Sequence, residues 1–160
     1  MQMTRKTFYG LGVVSSALNL LGGVLLIFGI RLSLLFSFAT VGAGAMMLLV
    51  ATTLQEDAAA RRLCLAGVLL TALGLAPGAL GAVAGAAAWP VFAWRYFKAS
   101  AQESLLHRCA FLVFVCGVVL LVGSFLPVPQ MLAACIIVAA AAAQGLFAWL
   151  LQRGEPGQAA

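Results

Sequence analysis

Long apolar runs fill most of this 160-residue chain, and they limit what it can fold into more than any other feature. They cover residues 8–30, 32–54, 63–76, 78–94, 109–126 and 131–151. A helix of about 20 apolar residues is long enough to cross a bilayer core of about 30 Å. Because 64% of the residues are hydrophobic and only 8% are charged, the chain lacks the polar surface of a soluble domain. The sequence therefore predicts an integral membrane protein.

Two kinds of connection alternate between these runs. The connections at 29–31, 76–78 and 126–129 are short and contain the Gly and Pro typical of tight turns. The polar segments at 55–62, 95–108 and 152–160 are longer and charged. We therefore predict an all-α transmembrane bundle of six helices in three hairpins. It forms a single domain over residues 1–160, with short cytoplasmic tails at 1–7 and 152–160.

The basic residues favour six spans over the alternatives. Every Lys and Arg except Arg31 falls on the side of the N-terminus in the six-helix arrangement. Cytoplasmic loops collect Lys and Arg, so both termini are predicted in the cytoplasm of a bacterial-type inner membrane. A five-span alternative fuses residues 63–94 and loses this asymmetry, and a re-entrant segment over 63–90 is a further alternative. The net charge of +5 thus indicates topology, and no nucleic-acid binding is predicted.

Three local features refine this prediction. The run at 63–76 is short for a span, so we expect its helix to begin earlier, near Asp57. The first run exceeds the apolar core of a signal peptide, so it is predicted to be a retained span. Aromatic residues are expected at the cytoplasmic boundary of the membrane, namely Phe8, Tyr9, Trp94, Tyr96 and Trp149.

The ionisable residues give little support for catalysis. All four acidic residues lie in connections or tails, outside the apolar runs: Glu56, Asp57, Glu103 and Glu155. His107 is the only histidine, so a bis-histidine site has no second ligand. The four cysteines lie in or beside apolar runs, which favours packing. The sequence therefore predicts no catalytic residue, no cofactor and no metal site.

A few residues stand out as functional or interface candidates. Asn19 and Gln144 are the polar residues within spans with the most hydrogen-bonding capacity to satisfy, so we expect contacts across helix interfaces or along a substrate path. Arg31 is the lone basic residue on the exterior side, either at a simple turn or against an anionic headgroup or substrate. Gly81 and Gly85 fit the small-residue spacing that lets helix backbones approach closely, within one chain or between copies.

Three stretches suggest a family resemblance. Residues 20–29, 65–74 and 114–123 each contain an early glycine, end on a glycine and lie shortly before a turn. This pattern resembles the HdeD-like family of small bacterial membrane proteins, which is associated with acid resistance. The resemblance implies a helical membrane architecture and no catalytic residues.

Three functions remain open from the sequence. The leading prediction is a non-enzymatic accessory, assembly or stress-response component that acts through contacts with membrane lipids, other membrane proteins or a second copy of itself. The alternative is a small transporter or channel subunit with a path between protomers. A third is a membrane enzyme completed by residues of a partner. A polar face converging on Asn19 or Gln144 would favour the transporter.

Overall fold

Six α-helices and no β-strand make up residues 2–154, which are the residues that the computed structural model describes. The helices are α1 (Gln2–Ile27), α2 (Ser33–Thr53), α3 (Ala58–Gly74), α4 (Ala79–Ala99), α5 (Leu105–Gly123) and α6 (Gln130–Arg153). The predicted all-α class is confirmed for this part of the chain. Most of the predicted N-terminal tail belongs to α1, while Met1 and residues 155–160 of the tails lie outside the described residues.

Four of these helices are long and apolar enough to cross a membrane. They are α1 from Arg5 onward, α2, α5 and α6. The outer surface agrees with a lipid environment, because every helix exposes large apolar side chains, among them Val14, Phe38, Leu69, Leu80, Phe111 and Leu132. An apolar surface of this extent is unfavourable in water. The chain is therefore a helical membrane protein.

Glycine and side-chain caps determine where the helices end. Gly29 and Gly78 have φ of +81° and +80°, a left-handed conformation that L side chains rarely adopt. Asp57 accepts a hydrogen bond from the Ala60 amide at 3.0 Å and so caps α3. The prediction that this helix starts near Asp57 is confirmed. Ser104 caps α5 in the same way.

The six helices form a closed ring. Each packs against its neighbours in the chain, and α6 also packs against α1. Helices α1 and α6 are antiparallel. Gly10 lies beside Gln152 at one end of the pair, and the Gln130 side chain donates to the Leu26 carbonyl at the other. We call the end with the α1–α2, α3–α4 and α5–α6 connections the tip face, and the opposite end the tail face.

Aromatic side chains fill the tail half of the ring. Tyr9, Trp89, Phe92, Tyr96 and Phe147, here called the aromatic layer, are buried and meet edge to face with centroid distances of 5.4–6.4 Å. The hydroxyls of Tyr9 and Tyr96 are hydrogen-bonded at 2.6 Å. The prediction places these two tyrosines near the cytoplasmic boundary, and the structure adds that both side chains are buried within the ring with their hydroxyls paired.

Candidate ligand cavity

The tip half of the ring lines a cavity of about 350 Å³ that is partly open to the surroundings. All six helices contribute to its lining. This volume lies within the range of small-molecule sites, about 300–1,000 Å³. The aromatic layer closes the cavity toward the tail face, and Trp89 belongs to both the layer and the lining. Among the described residues, Trp89 is the one member of the aromatic layer that borders this cavity, here called the chamber, which therefore ends at this layer.

Small residues of α4 leave room for this chamber. The lining of α4 is mostly alanine and glycine, including Gly81, Ala82, Gly85 and Ala86. Such side chains are too short to reach the centre of a ring of six helices, whereas the aromatic rings of the tail half reach it. Along α4, small residues give way to aromatic residues at Trp89, and this change sets the depth of the chamber.

Five uncharged polar side chains line the chamber, each from a different helix. They are Asn19, Thr40, Thr71, Ser124 at the end of α5, and Gln144. Within the described residues, no charged side chain is part of the lining. A buried charge without a counter-charge is costly. The chamber therefore suits an uncharged ligand that forms hydrogen bonds.

The three hydroxyl groups already have backbone acceptors for their protons. Thr40, Thr71 and Ser124 each donate to a carbonyl of their own helix, at 2.8, 2.7 and 2.8 Å. This back-bonding is common for hydroxyls in membrane helices. Each hydroxyl oxygen still has lone pairs that can accept a hydrogen bond from a ligand.

Gln144 is different because its amide oxygen is unsatisfied. Its Oε1 is buried and has no hydrogen-bond partner among the described residues. Buried side-chain oxygens in folded proteins are usually paired, since an unpaired one costs about 1–3 kcal/mol. A ligand donor in the chamber would supply the missing partner.

Close packing of α1 on α6 brings Asn19 and Gln144 to the same chamber. A Cβ atom on Gly145 would lie 3.3 Å from the Cβ atom of Ser16, and one on Gly23 would lie 3.2 Å from Ile137. Glycine at these positions lets the two helices approach closely. The two amides that the sequence singled out thus line the same chamber from adjacent helices.

Gly81 and Gly85 also line the chamber, and their close contacts lie within the chain. A methyl group on Gly81 would overlap the carbonyl of Ala76, and one on Gly74 would lie 3.1 Å from the Cα of Gly85. These glycines therefore permit the tight α3–α4 hairpin. Arg31 does not join them, since it lies exposed in the α1–α2 connection.

The sequence did not single out Thr40, Thr71, Ser124 or Trp89 as site residues. Hydroxyl residues are frequent in membrane helices and need no function, so their type alone carries little signal. The residues around Thr40 gave a better signal. Ala39 and Ala43 are small, lie close to Thr40 on the helix and line the chamber with it.

Comparison with protein-family models, curated proteins and solved structures gives no match for this chain. The resemblance to the HdeD-like family therefore stays a prediction.

Proposed function

We propose that all six helices cross a bacterial-type inner membrane as three hairpins, with the tail face in the cytoplasm. The distribution of charge supports this, since Arg31 is the lone basic residue at the tip face among the described residues, and the others lie toward the tail face. The α3 helix has 17 residues, or about 26 Å at 1.5 Å per residue. Exposed Arg61 and Arg62 in its first turns can extend to the headgroups.

Within that topology, the function is the passage of a small uncharged solute that forms hydrogen bonds. The observation that carries this proposal is the chamber that Asn19 and Gln144 both line, together with further hydroxyls and with no charge among the described residues. Its amides can donate and accept hydrogen bonds at once, which replaces the water that a polar solute loses in the membrane. The path lies within one chain.

The aromatic layer then acts as the closed gate. In the described state the chamber is shut toward the tail face by five buried rings. A solute that enters from the exterior reaches Trp89 and stops there until the layer parts. Opening of the layer breaks the hydrogen bond between Tyr9 and Tyr96. The chamber would then be open toward the tail face, as in the alternating conformations of a transporter.

Flux into proteoliposomes tests this function. Purified protein is reconstituted, and the uptake of glycerol and of urea is followed by stopped-flow light scattering against protein-free liposomes. We expect uptake above the protein-free rate, with Asn19→Leu and Gln144→Leu each reducing the protein-dependent part about tenfold. That factor corresponds to about 1.4 kcal/mol, within the range for a lost buried hydrogen bond.

A matched control lies on the same helix. Gln152 is a glutamine of α6 that does not line the chamber, so Gln152→Leu should leave uptake unchanged. Thermal unfolding of each variant in detergent checks that the fold is intact. Uptake at the protein-free rate for both solutes, or equal losses for Gln144→Leu and Gln152→Leu, would contradict the proposal.

The second candidate is a non-enzymatic accessory or stress-response component. The exposed apolar side chains on every helix favour it, because they offer contacts with lipids, other membrane proteins or a second copy. This candidate predicts co-purification with a membrane partner and no solute flux. The flux measurement therefore separates the two.

A further inference from the structure

A second cavity, of about 300 Å³, lies between α4 and α5 and shares no residue with the chamber. We call it the α4–α5 groove. Its lining is entirely apolar: Pro90, Ala93, Trp94, Phe97, Ala110, Phe111 and Phe114. Three of its rings are open to the surroundings, with Trp94 38%, Phe111 52% and Phe114 40% exposed. The groove therefore opens on the outer surface of the bundle.

Small residues form the base of the groove and aromatic rings form its walls. Ala93 and Ala110 are buried, which leaves space that larger side chains would fill. The ring of Trp94 lies 5.9 Å from that of Phe97 and 6.0 Å from that of Phe114. Such a surface provides no hydrogen-bond partner for a polar molecule inside the groove, but it can pack against a hydrocarbon chain.

Basic side chains surround the end of the groove nearest the tail face. The Lys98 ammonium lies 5.1 Å from the Trp94 ring centroid. Arg108 is exposed on α5, one helical turn before Phe111. The third basic residue of segment 95–108, Arg95, is ion-paired with Asp57 at 3.8 Å and does not belong to the rim. Lys98 and Arg108 together with the acidic Glu103 leave a net charge of +1 here. The groove thus combines an apolar interior with a cationic rim.

His107 holds this end of the groove in shape. Its ring stacks on Phe97 at a centroid distance of 4.3 Å. Its Nδ1 donates to the Phe97 carbonyl at 3.0 Å and lies 3.2 Å from the Ser100 hydroxyl. These contacts fix the α4–α5 connection, so the rim is ordered before any ligand arrives.

We infer that the α4–α5 groove binds one anionic phospholipid, with an acyl chain in the groove and the phosphate between Lys98 and Arg108. The charge of the rim selects an anionic headgroup over a zwitterionic one. The depth agrees, because the rim lies toward the tail face, where lipid headgroups would be, and the groove runs inward from it. This inference does not depend on solute passage through the chamber.

Trp94 reports directly on the occupant. Phospholipids whose chains are brominated at the same carbons quench a tryptophan that they touch. Trp149→Phe leaves Trp94 and the buried Trp89, which is 4% exposed. We expect brominated phosphatidylglycerol to quench this variant at least twofold more strongly than brominated phosphatidylcholine at equal mole fraction.

The chain provides a close internal control. Trp149 is also 38% exposed and also carries a cation, since Arg153 lies 3.9 Å from its ring. It does not line the groove. In the Trp94→Phe variant the two brominated lipids should therefore quench Trp149 equally. Trp149 has a cation beside its indole ring but lies outside the groove.

Charge variants complete the test. Lys98→Gln combined with Arg108→Gln should remove the preference for phosphatidylglycerol at Trp94, whereas Arg62→Gln, an exposed cation of α3, should leave it. Equal quenching of Trp94 by both lipids would overturn the inference. A second result would also overturn it, namely weak quenching of Trp94 by both lipids together with energy transfer between fluorescently labelled protein chains that rises with protein concentration. That result would assign the groove to a second copy of the chain.

Discussion

A methyl group at position 117 tests how α4 and α5 pack. A Cβ atom there would overlap the Pro90 ring and would lie 3.1 Å from the Ala86 carbonyl oxygen. The pyrrolidine ring has no rotamer that moves it aside, so the two helices must separate. Overpacking of this kind costs about 1–3 kcal/mol. Alanine in a helix interior gains up to about 1 kcal/mol over glycine, which partly offsets that loss.

A double-mutant cycle removes the offset. Gly117→Ala is measured alone and in a Pro90→Ala background, where the overlapping ring is absent. The gain in helix propensity is the same in both, so it cancels. The free energy of unfolding is obtained by titrating dodecyl sulfate into mixed micelles. We expect Gly117→Ala to cost about 1–3 kcal/mol less in the Pro90→Ala background. The same cost in both backgrounds would refute the packing described.

Two further predictions concern stability. Gly12→Ala should lower the unfolding free energy by about 1–3 kcal/mol relative to Gly10→Ala, because its Cβ would overlap Met46 while that of Gly10 has an ordinary contact at 3.5 Å; equal melting of the two variants would contradict this. Asp57→Ala should cost about 1 kcal/mol through loss of the bond to the Ala60 amide. Asp57→Asn keeps an acceptor for that amide but loses the ion pair with Arg95 at 3.8 Å, so it should cost less than Asp57→Ala but more than zero. Calorimetry of both variants tests the cap, and a larger loss for Asp57→Asn than for Asp57→Ala would contradict it.

The helices could be predicted from the sequence because hydrophobicity acts locally. Each apolar run contains most of one helix, and Asp57 marks the start of α3 through its own side chain. The two tyrosines could not be placed in this way. Tyr9 and Tyr96 are 87 residues apart, and nothing near either one shows that their hydroxyls pair in the core.

The chamber was predictable only in part, for the same reason. Asn19 and Gln144 stood out because amides are costly in a membrane. That they line one chamber depends on α6 packing against α1, which closes the ring between the first and last helices. The groove was harder to foresee, since its walls come from two helices and its rings resemble ordinary lipid-facing residues.

The proposed gate and the proposed lipid site both involve α4. Trp89, in the aromatic layer, and Pro90, in the α4–α5 groove, are adjacent residues of this helix. A lipid that changes the packing of Pro90 would therefore act one residue from the base of the chamber. If both proposals hold, phosphatidylglycerol should change the rate of solute uptake in liposomes, and the effect should be lost when Lys98 and Arg108 are both replaced by glutamine.

The topology is tested most directly by labelling single cysteines in intact cells. Pro77→Cys lies in the α3–α4 connection and Gln102→Cys in the α4–α5 connection. Each substitution is made separately in a variant whose four native cysteines, at positions 64, 109, 116 and 135, are replaced by alanine. Six crossings predict that a membrane-impermeant maleimide labels residue 77 from outside and residue 102 only after lysis. Labelling of both from the same side would show that α4 does not cross the membrane, and the six-span arrangement on which the proposed path depends would be contradicted.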